Sequence, residues 1–373
     1  MKKKIIFITG TRADFGKIKS ILKKTIDEKF EVKIFVTGMH LSKKFGQTFY
    51  EIKKNFNNNN IIKYKNFKKN QSQDIILANT IYGFSKFLKK FKPDMVILHG
   101  DRVEALACAI SASFNNILVT HIEGGEISGN IDEHIRHSIS KLSHIHLVSN
   151  NIAKNRLMKM GELKKNIFVV GSPDIDIMSS KNLPLISNVK KRYGIKFKEY
   201  IICIFHPVTS ELSKTKQHTE ILVESLLNSK KNCVIIFPNN DPGNEIITNT
   251  YKKLHQNNNF KLIKSMRFEY FLTLLKNCDL IIGNSSCGVI EAPFYGIATI
   301  NLGNRQNKGS SEKSIINISF NEKLILNNIK KYLKIRFKKS KLYGNGNADK
   351  KIISILKKEK IWKTQIQKTL SDQ

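Results

Sequence analysis

Short apolar runs alternate with longer amphipathic stretches along nearly the whole chain, and few folds are compatible with that pattern. Runs at 5–9, 32–37, 95–99, 117–122, 145–148 and 167–170 are apolar on both faces. This is how parallel strands buried under helices look in sequence. Amphipathic stretches such as 74–91 and 102–114 separate them. A break at Gly171-Ser172-Pro173-Asp174 precedes a second series at 200–205, 233–237, 260–263, 280–282 and 298–302. The alternation predicts an α/β chain of two Rossmann-like, doubly wound domains, 1–171 and 172–349. A basic helical tail, about 350–373, is expected to pack back on the first. The length of 373 residues suffices for two cores.

The formal charge of +34 invites a nucleic-acid reading, but the distribution argues against it. Lys, Asn and Ile share A/T-rich codons, so genome composition is enough to account for the Lys excess. The lysines are scattered, whereas nucleic-acid binders concentrate basic residues with Arg and aromatics at the contacts. What survives is a positive field able to draw in an anionic substrate. No apolar stretch reaches the roughly 18–20 residues of a membrane span. Residues 1–10 read as a first strand and not as a signal peptide, which points to a cytoplasmic protein. Five cysteines in or beside apolar runs, with no Cys-x-x-Cys, suggest buried free thiols rather than disulfides or a zinc site.

Open parallel sheets bind ligands beyond the carboxyl ends of their strands. Polar clusters follow several of the runs, and would converge on one cleft if the domains face each other. Gly10-Thr11-Arg12-Ala13-Asp14 lacks the Gly-x-Gly-x-x-Gly of a dinucleotide fold, so NAD is not expected. Arg12 there suits a phosphate, or else merely ties the turn to a carboxylate. His99-Gly100-Asp101-Arg102 and His121-Ile122-Glu123-Gly124-Gly125 each put a carboxylate at a strand end, with Asp132 before a helical stretch. Such carboxylates can move protons on and off a weakly acidic carbon or a water. The plainer readings are an ion pair for Asp101 and a dipole-favoured helix N-terminal acid for Asp132. His206 follows the first strand of the second domain. Gly283-Asn284-Ser285-Ser286 reads as strand, turn and helix start, a cradle for phosphate, with Glu291 placed to take ribose hydroxyls.

Together these stretches resemble the hydrolysing UDP-N-acetylglucosamine 2-epimerases of the sialic-acid pathway. The likeness runs from the first strand to about Arg305. Its clearest pieces are 10–17, 37–40, 99–105, 121–129, 135–146, 171–174, 205–209, 238–241, 267–271 and 283–286. The resemblance implies a glycosyltransferase-B-like fold with the substrate in the cleft. It also implies catalytic roles for Asp101, Glu123 and Asp132. The nucleotide would lie against His206, Arg267, Ser285, Ser286, Glu291 and Arg305, with Arg12 and Arg102 near the pyrophosphate or sugar. A UDP-sugar would be the partner, in a homo-oligomer (dimer or tetramer), with no metal or other cofactor. Asn130, Glu133, His134 and Asn304 depart from the usual pattern. His134 is expected to be able to shift the pKa of Asp132. The nearest alternative is a hydrolysing 2-epimerase of UDP- or GDP-N,N'-diacetylbacillosamine; ranked behind it are a glycosyltransferase of the same fold and a non-enzymatic binder of anionic polymer.

Overall fold

The structure, a computed structural model, describes residues 2–42, 47–68, 71–127, 131–238, 243–306, 312–369 and 371. The chain forms two compact units, Met1–Ser179 with Leu342–Gln373, and Ser180–Lys341. In chain order the first contains β1 (Lys4–Thr9), α1 (Arg12–Asp27), β2 (Glu31–Val36), α2 (Phe49–Asn55), β3 (Ile61–Lys63), α3 (Gln73–Phe91), β4 (Met95–His99), α4 (Val103–Phe114), β5 (Leu118–Ile122), α5 (Ile131–Leu142), β6 (Ile145–Val148), α6 (Asn151–Lys159), β7 (Ile167–Val169) and α7 (Pro173–Met178). The second contains α8 (Ile186–Tyr193), β8 (Ile201–Ile204), α9 (Thr215–Asn228), β9 (Cys233–Ile236), α10 (Asn244–Thr250), β10 (Phe260–Ile263), α11 (Phe268–Lys276), β11 (Ile281–Gly283), α12 (Glu291–Tyr295), β12 (Thr299–Leu302), β13 (Ile315–Ile318) and α13 (Glu322–Tyr332). Helices α14 (Ala348–Leu356) and α15 (Glu359–Trp362) return to the first unit.

Each sheet is parallel and doubly wound. The orders are β3-β2-β1-β4-β5-β6-β7 and β10-β9-β8-β11-β12-β13. Strand residues alternate between two cores, as a period of two requires. On β1, Ile5 and Phe7 pack with Phe15, Ile18 and Leu22 of α1 and Ile352 of α14. Ile6 and Ile8 pack on the other face with Phe84 of α3 and Cys108 of α4. Helix α1 starts where it does because of a capping box. The Thr11 hydroxyl accepts from the Asp14 N–H, and the Asp14 carboxylate accepts from the Thr11 N–H.

Three details differ from the sequence reading. The units divide after Ser179 and Lys341, not at 171 and 349. The reason is that α7 packs on α1 and α14, while Asp176 accepts the N–H groups of Ala348 (2.8 Å) and Asp349 (2.7 Å). Strands β3 and β13 escaped notice because they are short and lie at sheet edges, where one face stays partly exposed. The tail is not one helix. It breaks after α14, makes the single turn of α15, and runs on without helix from Lys363. All five cysteines are buried and free. Among the described residues no helix is long and apolar enough to cross a membrane.

Candidate active site

In the first unit the predicted carboxylates stand at the carboxyl edge of the sheet, around the switch point where β1 neighbours β4. Glu123 follows β5 directly. Its φ of 62° is a left-handed conformation that costs a non-glycine residue about 1–3 kcal/mol. The next residue has no room for a side chain: a Cβ on Gly124 would lie 2.7 Å from His121 Nδ1 and 2.8 Å from the Ser140 hydroxyl. This turn aims the Glu123 carboxylate into a cluster drawn from three other segments. His99 Nε2, at the end of β4, lies 2.8 Å from Oε2. Lys17 Nζ, from α1, lies 3.2 Å from the same oxygen, and the Ser172 hydroxyl donates to Oε1. Lys17 also pairs with Asp174 of α7 at 2.7 Å.

The environments of the two acids differ. Burial pushes the Glu123 carboxyl up, but Lys17, His99 and Ser172 outweigh it and hold the group well below its usual range. Asp174 is pushed up by burial and by Glu123, with Lys17 opposing. Glu123 is therefore a fixed anion whose oxygens are all engaged.

Asp101 pairs with Arg136, and Arg136 also donates to the Glu126 carbonyl at 3.1 Å. Arg136 and Asp132 both belong to α5, so one helix presents an acid near its start and fixes Asp101 one turn later. The plainer expectations for Asp101 and Asp132 thus both describe real features, and the carboxylates remain grouped at one edge. His134, the expected modulator of Asp132, is exposed and two residues on, so it faces another side of α5. Asn130 lies outside the described residues.

Arg12 opens α1 and pairs with Glu51 of α2, its Nε 3.3 Å from Oε2, which is the tying role. Arg102 precedes α4 and is half-exposed, its Nε 3.9 Å from the buried Glu104. Burial pushes the Glu104 carboxyl up, with Arg102 opposing. His121 is structural: Nε2 donates to the Gly100 carbonyl at 2.7 Å, and burial pushes the ring down to about 3.

In the second unit the ends of β8, β11 and β12 meet through Asn284, which is fully buried. The His206 N–H donates to its Oδ1 (2.7 Å), its Nδ2 donates to the His206 carbonyl (2.9 Å), and Arg305 donates to its own carbonyl (3.0 Å). Gly283, at φ 137°, must be glycine, because a Cβ would sit 1.9 Å from the Ile204 carbonyl oxygen. The expected helix start at Ser285 and Ser286 is instead a single 3-10 turn, Ser286–Gly288. The α-helix begins only at Glu291 and is five residues long, with Pro293 inside. No long helix dipole stands behind the two serines, although both remain at the strand end with Glu291 just beyond. Arg267 is exposed just before α11, its N–H donating to the Tyr193 hydroxyl at 3.1 Å.

The sequence model of the UDP-N-acetylglucosamine 2-epimerase family matches residues 23–357. A Neisseria meningitidis serogroup B protein named UDP-N-acetylglucosamine 2-epimerase is 40% identical, over 99% of both chains. This chain belongs to that family. A Legionella pneumophila protein named UDP-N,N'-diacetylbacillosamine 2-epimerase (hydrolyzing) is 34% identical over 96% of both chains. Two solved UDP-GlcNAc 2-epimerases share the glycosyltransferase-B-like fold at 23% identity. They come from Neisseria meningitidis, bound to UDP-GlcNAc, and from Methanocaldococcus jannaschii, with UDP-GlcNAc and UDP. Each superposes with a TM-score of 0.79 over 95% of this chain and 99% of the other.

Sequence reasoning assigned no role of their own to Lys17, His99, Ser172, Asp174 or Asn284. Every one falls inside a stretch that carried the resemblance. Their importance is a matter of partners distant in the chain, such as the 106 positions separating Lys17 from Glu123.

Proposed function

We propose that this family member is a hydrolysing 2-epimerase that converts UDP-N-acetylglucosamine to N-acetylmannosamine and UDP, in the supply of sialic-acid-type sugars. The observation carrying this reading is the set of three carboxylates at one sheet edge, each in a different setting. Asp101 is paired with Arg136, Glu123 is pinned as an anion, and Asp132 stands in the first turn of α5. Chemistry that removes a proton, adds water and returns a proton to the opposite face needs more than one such group.

In this scheme Asp132 takes the C2 proton while the C1–O bond breaks and its electrons leave with UDP. The product is 2-acetamidoglucal. Glu123 is a poor proton acceptor in its clamped state, so its part is to fix His99 and Lys17; the imidazolium form of His99 returns a proton to C2 and regains one from solvent, to which Asp132 and Asp101 release theirs. Asp101 takes a proton from the water that adds at C1. Residues His206, Arg267, Ser285, Ser286, Glu291 and Arg305 are assigned to the nucleotide and Arg102 to the pyrophosphate or sugar, while Arg12 keeps its pairing with Glu51. The name of the 34% identical Legionella relative supports the hydrolysing branch and keeps the diacetylbacillosamine nucleotides as the second reading.

Proton NMR of the products from each nucleotide sugar separates the two. N-acetylmannosamine and UDP formed from UDP-N-acetylglucosamine support the first reading. Turnover of a bacillosamine nucleotide alone replaces it with the second.

A further inference from the structure

The segment after α15 has a part in neither the resemblance nor the chemistry above, yet it reaches the helix that carries Asp132 and Arg136. Lys368 places its ammonium at the C-terminal end of α5. It donates to the carbonyls of Ser140 (3.1 Å), Lys141 (2.7 Å) and Ser143 (2.8 Å). It also pairs with Glu162 at 2.6 Å. Glu162 is buried to 2% exposure and joins the strand below to the helix: Oε2 lies 2.9 Å from His146 Nε2 on β6, and Oε1 lies 3.0 Å from Lys141 Nζ on α5. Two backbone ties hold the segment in place. His144 Nε2 lies 3.0 Å from the Ile366 carbonyl, and the Ser371 N–H donates to the Gly161 carbonyl at 3.0 Å.

An α-helix ends with carbonyls lacking intrahelical partners and with the negative pole of its dipole. A cation bonded to three carbonyls there, and locked to a buried carboxylate, fixes the helix along its axis as well as stabilising it. Helix α5 is 12 residues long, roughly 18 Å at 1.5 Å per residue, and is stiff over that span. Its position along the axis sets where Asp132 stands and how Arg136 meets Asp101. We infer that Lys368 is a positioning residue for the reaction, acting from the C-terminal segment through α5. This inference rests on the proposed roles of Asp132 and Asp101.

The test uses the full chain and the Lys368→Met variant, which keeps the stem and removes the charge. Turnover of UDP-N-acetylglucosamine, UDP affinity and amide hydrogen exchange are measured on both proteins. The variant is expected to lose at least about tenfold in kcat, the scale a small misplacement costs. KM and UDP affinity should stay within about twofold, because uniform binding is untouched. Exchange should accelerate in peptides covering 132–142 and stay unchanged in β8 and β11. Turnover equal to wild type overturns the inference, whether α5 exchange rises or not, and so does a rise in KM at constant kcat. An inactive wild type sinks the functional reading instead, and unchanged exchange in α5 then overturns the positioning claim on its own. Should Lys368→Met fail to fold, Lys368→Gln is read by the same criteria.

Discussion

At the scale of single residues, the site depends on one ammonium placed between the buried Asp174 and the largely buried Glu123. Lys17 lies within 3.2 Å of Glu123 and 2.7 Å of Asp174. Breaking a buried pair from one side costs about 3–5 kcal/mol, because the remaining charge has lost its partner. Lys17→Met should therefore destabilise the first unit by about that amount at pH 7, measured by urea unfolding. The sign with pH follows from Glu123, whose folded pKa is depressed below 4.5. Its stabilisation is present above the unfolded value and is lost as pH falls through the folded one, so the gap between wild type and variant should hold from pH 7 to about pH 5 and narrow below about pH 4.5. A gap independent of pH would mean that Lys17 acts by packing alone. Asp101→Asn and Asp132→Asn each preserve shape and should lower kcat by about 100-fold, the scale of a proton-transfer group. Rates within about threefold of wild type for both variants would remove them from the chemistry. The positions of Asp101 and Glu123 were legible in the sequence because a carboxylate following an apolar run lands at a strand end, and that of Asp132 because a helical stretch follows it. Lys17, His99 and Asp174 were not, because nothing local marks which of many Lys, His and Asp side chains the fold will bring into contact.

Among the elements, the strands of the two sheet centres could be read directly, since both faces are buried and the runs are continuous. The edges could not: β3 has the burial of a loop on its outer residue, and β13 alternates only weakly. The stretch from Ser285 to Glu291 looked like one helix start, but the backbone makes a 3-10 turn before the short α12. The junction of α7 with α14 carries its own test. Asp176 caps the start of α14 through two backbone N–H groups, yet burial and the nearby Asp349 push its carboxyl up to about 6. A raised acid gives stability at low pH that is lost as pH rises through the folded value. Asp176→Asn keeps an acceptor for the cap and removes the ionisation. Its melting temperature should exceed that of wild type at pH 8, with the difference shrinking below pH 6 and gone near pH 4. A variant less stable than wild type at pH 8 would show that the charge favours the α14 cap there.

For the molecule as a whole, the family is that of the UDP-N-acetylglucosamine 2-epimerases, and the proposed function has water as the group that adds back to C1. Hydrolysing and non-hydrolysing epimerases would share the fold and the glycal intermediate, and differ in whether water or UDP attacks it. A high density of surface lysines suits the recruitment of a doubly charged nucleotide sugar but does not distinguish the two branches. The fate of individual atoms does. With UDP-N-acetylglucosamine as substrate in water enriched in heavy oxygen, the label should enter C1 of released N-acetylmannosamine and stay out of UDP. In heavy water, deuterium should appear at C2 of the same sugar. UDP-N-acetylmannosamine with no free sugar, or heavy oxygen in the UDP, would contradict the elimination and hydration proposed here.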